Sequence, residues 1–289
     1  MRQISSSELI INADGGIFHL HLKPGQLADR VILVGDPARV SMIGEYLDEK
    51  ECDVSNREFH SITGSYRGKR ISVVSHGIGC DNIDIVLNEL DALANIDFDT
   101  RTVRPVFRPL TLVRIGTSGG LQPFVPVGTY VAAAQSIGLD GVLYFYAGHE
   151  RVRDTALETE LIRQLEWKPT GLRPYAVSAD ASLLAQITQD DILRGITIAA
   201  NGFYGPQGRE LRLPLADPAL NAKIAAFDYW GRKITNYEME SSALAGLAAL
   251  MGHRAMTVCC IIAGRVDKNM NTDYSNSLRR LIETVLERI

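Results

Sequence analysis

The sequence predicts an α/β protein, a single domain with a central sheet flanked by helices. Three observations predict it. Short apolar, β-branched runs alternate with segments of helical period along the 289 residues. Several of those runs end in a glycine followed by polar residues. No composition break, repeat or Gly/Ser/Pro linker divides the chain.

Residues 30–35, RVILVG, read as a buried strand. Pro37 to Leu47 follows as a helix, with Asp36 as its N-cap and Pro37 at the first helical position. Residues 61–75 read as two strands joined by an Arg-Gly-Lys turn. The segment 81–96 is a helix, because Ile83, Val86, Leu87, Leu90 and Leu93 recur at three- and four-residue spacing. Residues 110–116 and 128–138 read as further strands, with weaker ones near 174–178 and 195–200. A small-residue helix starts at Ser241, TVCCIIAG (257–264) is a late strand, and a last helix begins at about Tyr274. The Arg-rich stretch 97–109 reads as a surface insertion.

The strand ends carry the chemistry. VILVG-DPAR, VVSHG-IGCDN, LVRIG-TSGG and CCIIAG-RVD each leave a strand through glycine. Ligands of open α/β sheets bind outside the carboxyl ends of the strands, and glycine there lets backbone approach a ligand. In GDPAR a strand feeds a helix N-terminus, which favours an anion. Arg39 is then either a ligand to it or a solvated first-turn residue. RIGTSGG offers Arg114, Thr117 and Ser118 as a phosphate cradle, and an arginine inside the apolar strand TLVRIG needs a partner or a ligand. Just before the helix at Ser241 stand two acids, Glu238 and Glu240. One is favourable at a helix N-terminus; the other points elsewhere.

Several function classes fall away. A net charge of −4 without a long basic block speaks against nucleic-acid and polybasic membrane roles. No stretch approaches 18 uninterrupted apolar residues and the N-terminus lacks an apolar signal core, so a cytoplasmic protein is expected. Cys52, Cys80, Cys259 and Cys260 form no CxxC pair and read as reduced thiols. GIGCDN has Asn82 where the dinucleotide fingerprint has its third glycine. The six histidines show no zinc spacing, and no G-x-S-x-G elbow occurs.

GDPARV, SNREF (55–59), GIG with its following helix, RIGTSGG and NYEMES occur together in an order that resembles the nucleoside phosphorylase superfamily, and more narrowly the uridine phosphorylases. The resemblance runs from about Phe18 to the last helix, leaving 1–17 as an N-terminal extension of a single domain over 1–289. It implies a mixed central sheet and phosphorolysis of uridine to uracil and ribose 1-phosphate. Gly35, Arg39, Arg57, Arg114 and Thr117 would bind phosphate, with Arg57 supplied by a neighbouring subunit. His19 would cross the same interface to the ribose, which Glu238, Met239 and Glu240 also hold. Phe203, Gln207, Arg209, Ile262 and Ala263 would form the base site. Gln207 and Arg209, the pyrimidine-specific mark, join Arg114 and Glu240 as the catalytic set. Purine-cleaving relatives place an acid after the late strand, where this chain has Gly264 and then Arg265.

The resemblance further implies inorganic phosphate as co-substrate and no organic cofactor. It also implies a homo-oligomer, dimer or hexamer, with shared sites. A monovalent cation would lie near Glu58 and Asn82, the latter standing where relatives carry serine. Two other readings share the scaffold: a purine nucleoside phosphorylase, and a non-catalytic nucleoside-binding protein.

Overall fold

The computed structural model describes residues 2–169, 171–264, 270 and 273–289. Its first strand, β1 (Arg30–Val34), sends Val31 and Leu33 into one core and Ile32 and Val34 into another on the opposite face. A strand buried on both faces is apolar throughout, which is why RVILVG carries no alternation. Helix α1 (Pro37–Gly44) starts where expected, with the Asp36 carboxylate accepting from the Ala38 amide, and ends three residues earlier than the sequence suggests. Next comes β2 (Asp48–Asn56), a strand the sequence hides. DEKECDVSN is polar because β2 forms the outer edge of the sheet and is largely exposed. Strands β3 (Phe59–Tyr66) and β4 (Lys69–Ser75) form the expected hairpin, with Arg67 and Gly68 both at positive φ in its turn.

Helix α2 (Cys80–Asn95) presents Ile83, Val86, Leu87, Leu90 and Leu93 to the core. The insertion folds as a small hairpin, β5 (Ile96–Asp97) with β6 (Thr102–Val103). Two of its arginines are engaged with the rest of the chain: Arg101 donates to the carbonyls of Ile4, Ser5 and Leu9, and Arg108 pairs with Asp29. The N-terminal residues are held there, and Leu9 and Ile17 join the core. Strand β7 (Thr111–Gly120) runs past the expected end through Thr117-Ser118-Gly119-Gly120, so the supposed loop is strand.

After β7 come β8 (Tyr130–Gly138), α3 (Thr155–Leu165), β9 (Tyr175–Ser178), α4 (Ala181–Thr188), β10 (Leu193–Ala199) and α5 (Leu220–Ala226). The chain closes with β11 (Ile234–Glu238), α6 (Ser241–Met251), β12 (Arg254–Gly264) and α7 (Ser275–Arg288).

The sheet order is β11-β10-β8-β12-β7-β1-β4-β3-β2, with β9 beside β8. Strands β1, β4, β7 and β12 pair in parallel, whereas β12 meets β8 antiparallel, so the sheet is mixed. The far end of β7 also pairs antiparallel with β11 through Gly119 and Gly120, which curls that half of the sheet into a closed ring. One core lies under α2 and α6, a second under α1, α4 and α7, and a third against α3 and α5. Helix α6 is buried on almost every side, and small residues make that fit: a Cβ on Gly246 would sit 3.0 Å from Leu143.

Candidate active site

The carboxyl ends of β1, β4, β7 and β12 and the far end of β11 open into one cleft of about 1490 Å³. Of the residues expected at the site, Gly35, Arg39, Arg114, Thr117, Phe203, Gln207, Arg209, Glu238, Met239, Glu240, Ile262 and Ala263 line it, and so do Glu58 and Asn82. His19 and Arg57 do not. Arg265 lies outside the described residues.

At one end, Arg39 is half-buried in the first turn of α1, and its guanidinium makes no hydrogen bond or ion pair to the described residues. A half-buried cation without a counter-ion beside a helix N-terminus is a site for an anion. Gly35 lies beside it and packs tightly on the Gly77 carbonyl: a Cβ would stand 3.1 Å from that oxygen.

At the centre, Arg114 is buried between the two acids. Its Nη1 donates to Glu238 Oε2 at 2.9 Å, its Nη2 to Glu240 Oε2, and its Nε to His76 Nε2 at 3.1 Å. Burial alone would lower the guanidinium pKa; Glu240 and then Glu238 outweigh it and hold the value raised. Gly116 makes the room, since a Cβ there would fall 2.8 Å from Arg114 Nη1.

The two acids have different work. Glu238 ends β11, and its carboxylate accepts from the amides of Glu240 and Ser241, the Ser241 hydroxyl and Arg114. It is the helix-start device, reaching α6 from the preceding strand, and four donors occupy it. Glu240 accepts from Arg114 and, at 2.7 Å, from the Gly79 amide. A carboxylate offers about four lone-pair positions, so Glu240 keeps acceptor capacity for a ligand's hydroxyls. Gly79 reaches it at φ 97°, a conformation glycine adopts without strain. Burial raises the Glu240 pKa, Arg114 opposes that, and Glu238 adds to it.

At the other end, Arg209 lies with its guanidinium 3.5 Å from the Phe203 ring centre and donates to the Phe203 carbonyl and to Gln207 Oε1 at 2.6 Å. Amide and guanidinium thereby form one hydrogen-bonding edge. The Gln207–Gly208 turn is pinned by Asn221, whose Nδ2 donates to the carbonyls of both, while Tyr237 donates to Asn221 Oδ1 at 3.0 Å. Asn221 and Tyr237 line the cleft and were not read from the sequence. Asn221 sits on α5, a short helix whose pattern is weak; Tyr237 stood inside NYEMES and was the available signal.

Glu58 and Asn82 approach to 3.4 Å, and among the described residues no group of three or more His, Cys, Asp or Glu could hold a metal ion. His19 is tied to Glu89 at 2.6 Å, and Arg57 is exposed over the Phe18 ring.

The Phosphorylase superfamily model matches residues 29–288. The chain belongs to the phosphorylase superfamily. With that membership it is a pentosyltransferase. It is 30% identical to the uridine phosphorylase of Thermococcus kodakarensis over 269 residues, 90% of this chain and 82% of that protein. A DeoD-type purine nucleoside phosphorylase of Aliivibrio fischeri is 28% identical, covering 84% of each chain. The superfamily fold superposes on the crystal structure of a Trypanosoma brucei nucleoside phosphorylase described as showing uridine phosphorylase activity. That match has a TM-score of 0.86 and 31% identity, and covers 97% of this chain and 98% of that one.

Proposed function

We propose that this protein is a uridine phosphorylase, converting uridine and phosphate to uracil and ribose 1-phosphate in cytoplasmic pyrimidine salvage. One observation carries the reading: a single cleft holds a cation with no partner among the described residues, a carboxylate with spare acceptor capacity and a paired amide–guanidinium edge. Those three features suit phosphate, a ribose diol and a uracil edge. Arg39, Thr117, Gly35 and Arg114 hold the phosphate so that an oxygen faces C1′, and proximity supplies much of the rate. The new C1′–O bond forms as the C1′–N1 bond breaks. The departing pair of electrons spreads over uracil, where Arg209 and Gln207 stabilise it, and the proton of hydrogen phosphate ends on the base. Glu240 holds the ribose hydroxyls beside Met239. Phe203, Ile262 and Ala263 supply the apolar walls.

His19 and Arg57 support a shared site. Neither lines the cleft of its own chain, and Arg57 makes no ion pair to the described residues. In this reading the chain, one domain over 1–289, acts as a homo-oligomer in which a neighbour supplies both. A monovalent cation at Glu58 and Asn82 belongs to the same arrangement.

Incubation with uridine, with and without phosphate, tests the reading through the absorbance change of released uracil. Cleavage should require phosphate. Equal turnover without it would overturn the proposal in favour of a hydrolase. The similarity to purine nucleoside phosphorylases makes inosine the comparison substrate, and turnover of inosine above uridine would reassign the base.

A further inference from the structure

Arg114 is anchored at three corners, and the third anchor comes from two strands away. Residues Val34 of β1, Ser75 of β4 and Ile115 of β7 lie level with one another, so β1 separates His76 from Arg114. His76 follows β4, donates its amide to the Val34 carbonyl, and carries its ring across the end of β1 to Arg114 Nε. The crossing passes Gly35, where a Cβ would come within 3.7 Å of His76 Cε1.

A guanidinium has only donors, so His76 Nε2 must present a lone pair and the ring must be neutral with its proton on Nδ1. That Nδ1 is buried without a hydrogen-bond partner among the described residues. Burial, Arg114 and Arg39 together hold the imidazole well below its usual range, in keeping with a neutral ring. Glu238 and Glu240 already place two negative charges on Arg114. A third acidic anchor would repel a phosphate dianion; a neutral imidazole fixes the guanidinium without adding charge.

Resting on the reading of Arg114 as a phosphate ligand, we propose that His76 is a positioning residue for phosphate binding. It locks the rotation of Arg114 so that the Nη2 hydrogen left over by Glu240 is aimed into the cleft. This anchor sets affinity for phosphate and leaves affinity for the nucleoside largely alone.

Side-chain isosteres test it. A glutamine amide reaches the Nε2 position, whereas asparagine reaches only Nδ1. His76→Leu and His76→Asn should raise KM for phosphate by roughly 10–100-fold, the worth of a hydrogen bond to a charged group. KM for uridine at saturating phosphate should stay close to the parent value, and His76→Gln should recover most of the loss. A ring that merely fills space would make the asparagine and glutamine variants alike. That result overturns the inference, as does a folded leucine variant with unchanged phosphate KM; if the leucine variant fails to fold, the Asn/Gln pair decides. If the parent protein shows no phosphate-dependent cleavage at all, the proposed function itself fails, a distinct outcome.

Discussion

Glu238 and Glu240 stand two residues apart on one short segment and differ in how many donors they already hold. Glu238 is occupied by four, so Glu238→Gln should act mainly on the fold, lowering stability by about 1–3 kcal/mol in urea unfolding. Glu240→Gln should act on the reaction as well, lowering kcat/KM for uridine by roughly 10²–10³, the usual cost of one lost electrostatic contact in a site. The loss should shrink with 2′,3′-dideoxyuridine, which has no diol to hold. Acidity gives a second test. Burial raises the Glu240 pKa above 4.5, so as pH falls its ionised form is lost earlier than that of an exposed carboxylate. The kcat/KM for uridine should decline on the acid side from above pH 4.5, and Glu240→Gln should flatten that limb. For stability the sign is opposite: the folded chain holds this proton to higher pH than the unfolded chain, so the contribution of Glu240 shrinks as pH rises.

Among the elements, what could be read from the sequence follows burial. The strand at 30–35, the helix at 81–96 and the glycine-ended strands were legible because buried faces impose periodicity and close approaches impose glycine. Arg114 could be picked out because a charge inside an apolar run needs a partner, and Glu240 because a helix start accounts for only one of two neighbouring acids. Strand β2 was not legible, since an exposed edge strand carries charges as a surface loop does. Helix α3 was available from its Asp154 cap and the spacing of Leu157, Leu161 and Leu165, yet it went unread. His76 gave no signal at all, because its value lies in a contact across an intervening strand. The insertion hairpin reads as polar surface but works as a clasp on residues 4–9. Arg101→Ala should free that segment, with hydrogen exchange at the Ile4 amide, now bonded to the Arg101 carbonyl, rising well above that of the parent protein.

Across the whole molecule, the thiols report on the integrity of the sheet. Cys80, Cys259 and Cys260 are buried, and burial pushes the Cys259 and Cys260 thiols up to about 12 and about 11. At pH 8 a thiol-specific chromogenic reagent should find at most one fast-reacting group, the half-buried Cys52, in the native protein, and four after denaturation. Strand β12 occupies the middle of the sheet, between β7 and β8, although it comes almost last in the chain. A ribosome therefore releases β7 and β8 long before the strand that joins them, on the order of ten seconds at ordinary elongation rates. During that interval both strands present open edges, and the cleft's floor does not exist. A chain stopped before Arg254 should accumulate as insoluble protein despite holding every other strand. Birth of the enzyme is thus gated by the stretch from Arg254 onward, and a truncated translation product lacks the floor of its own cleft.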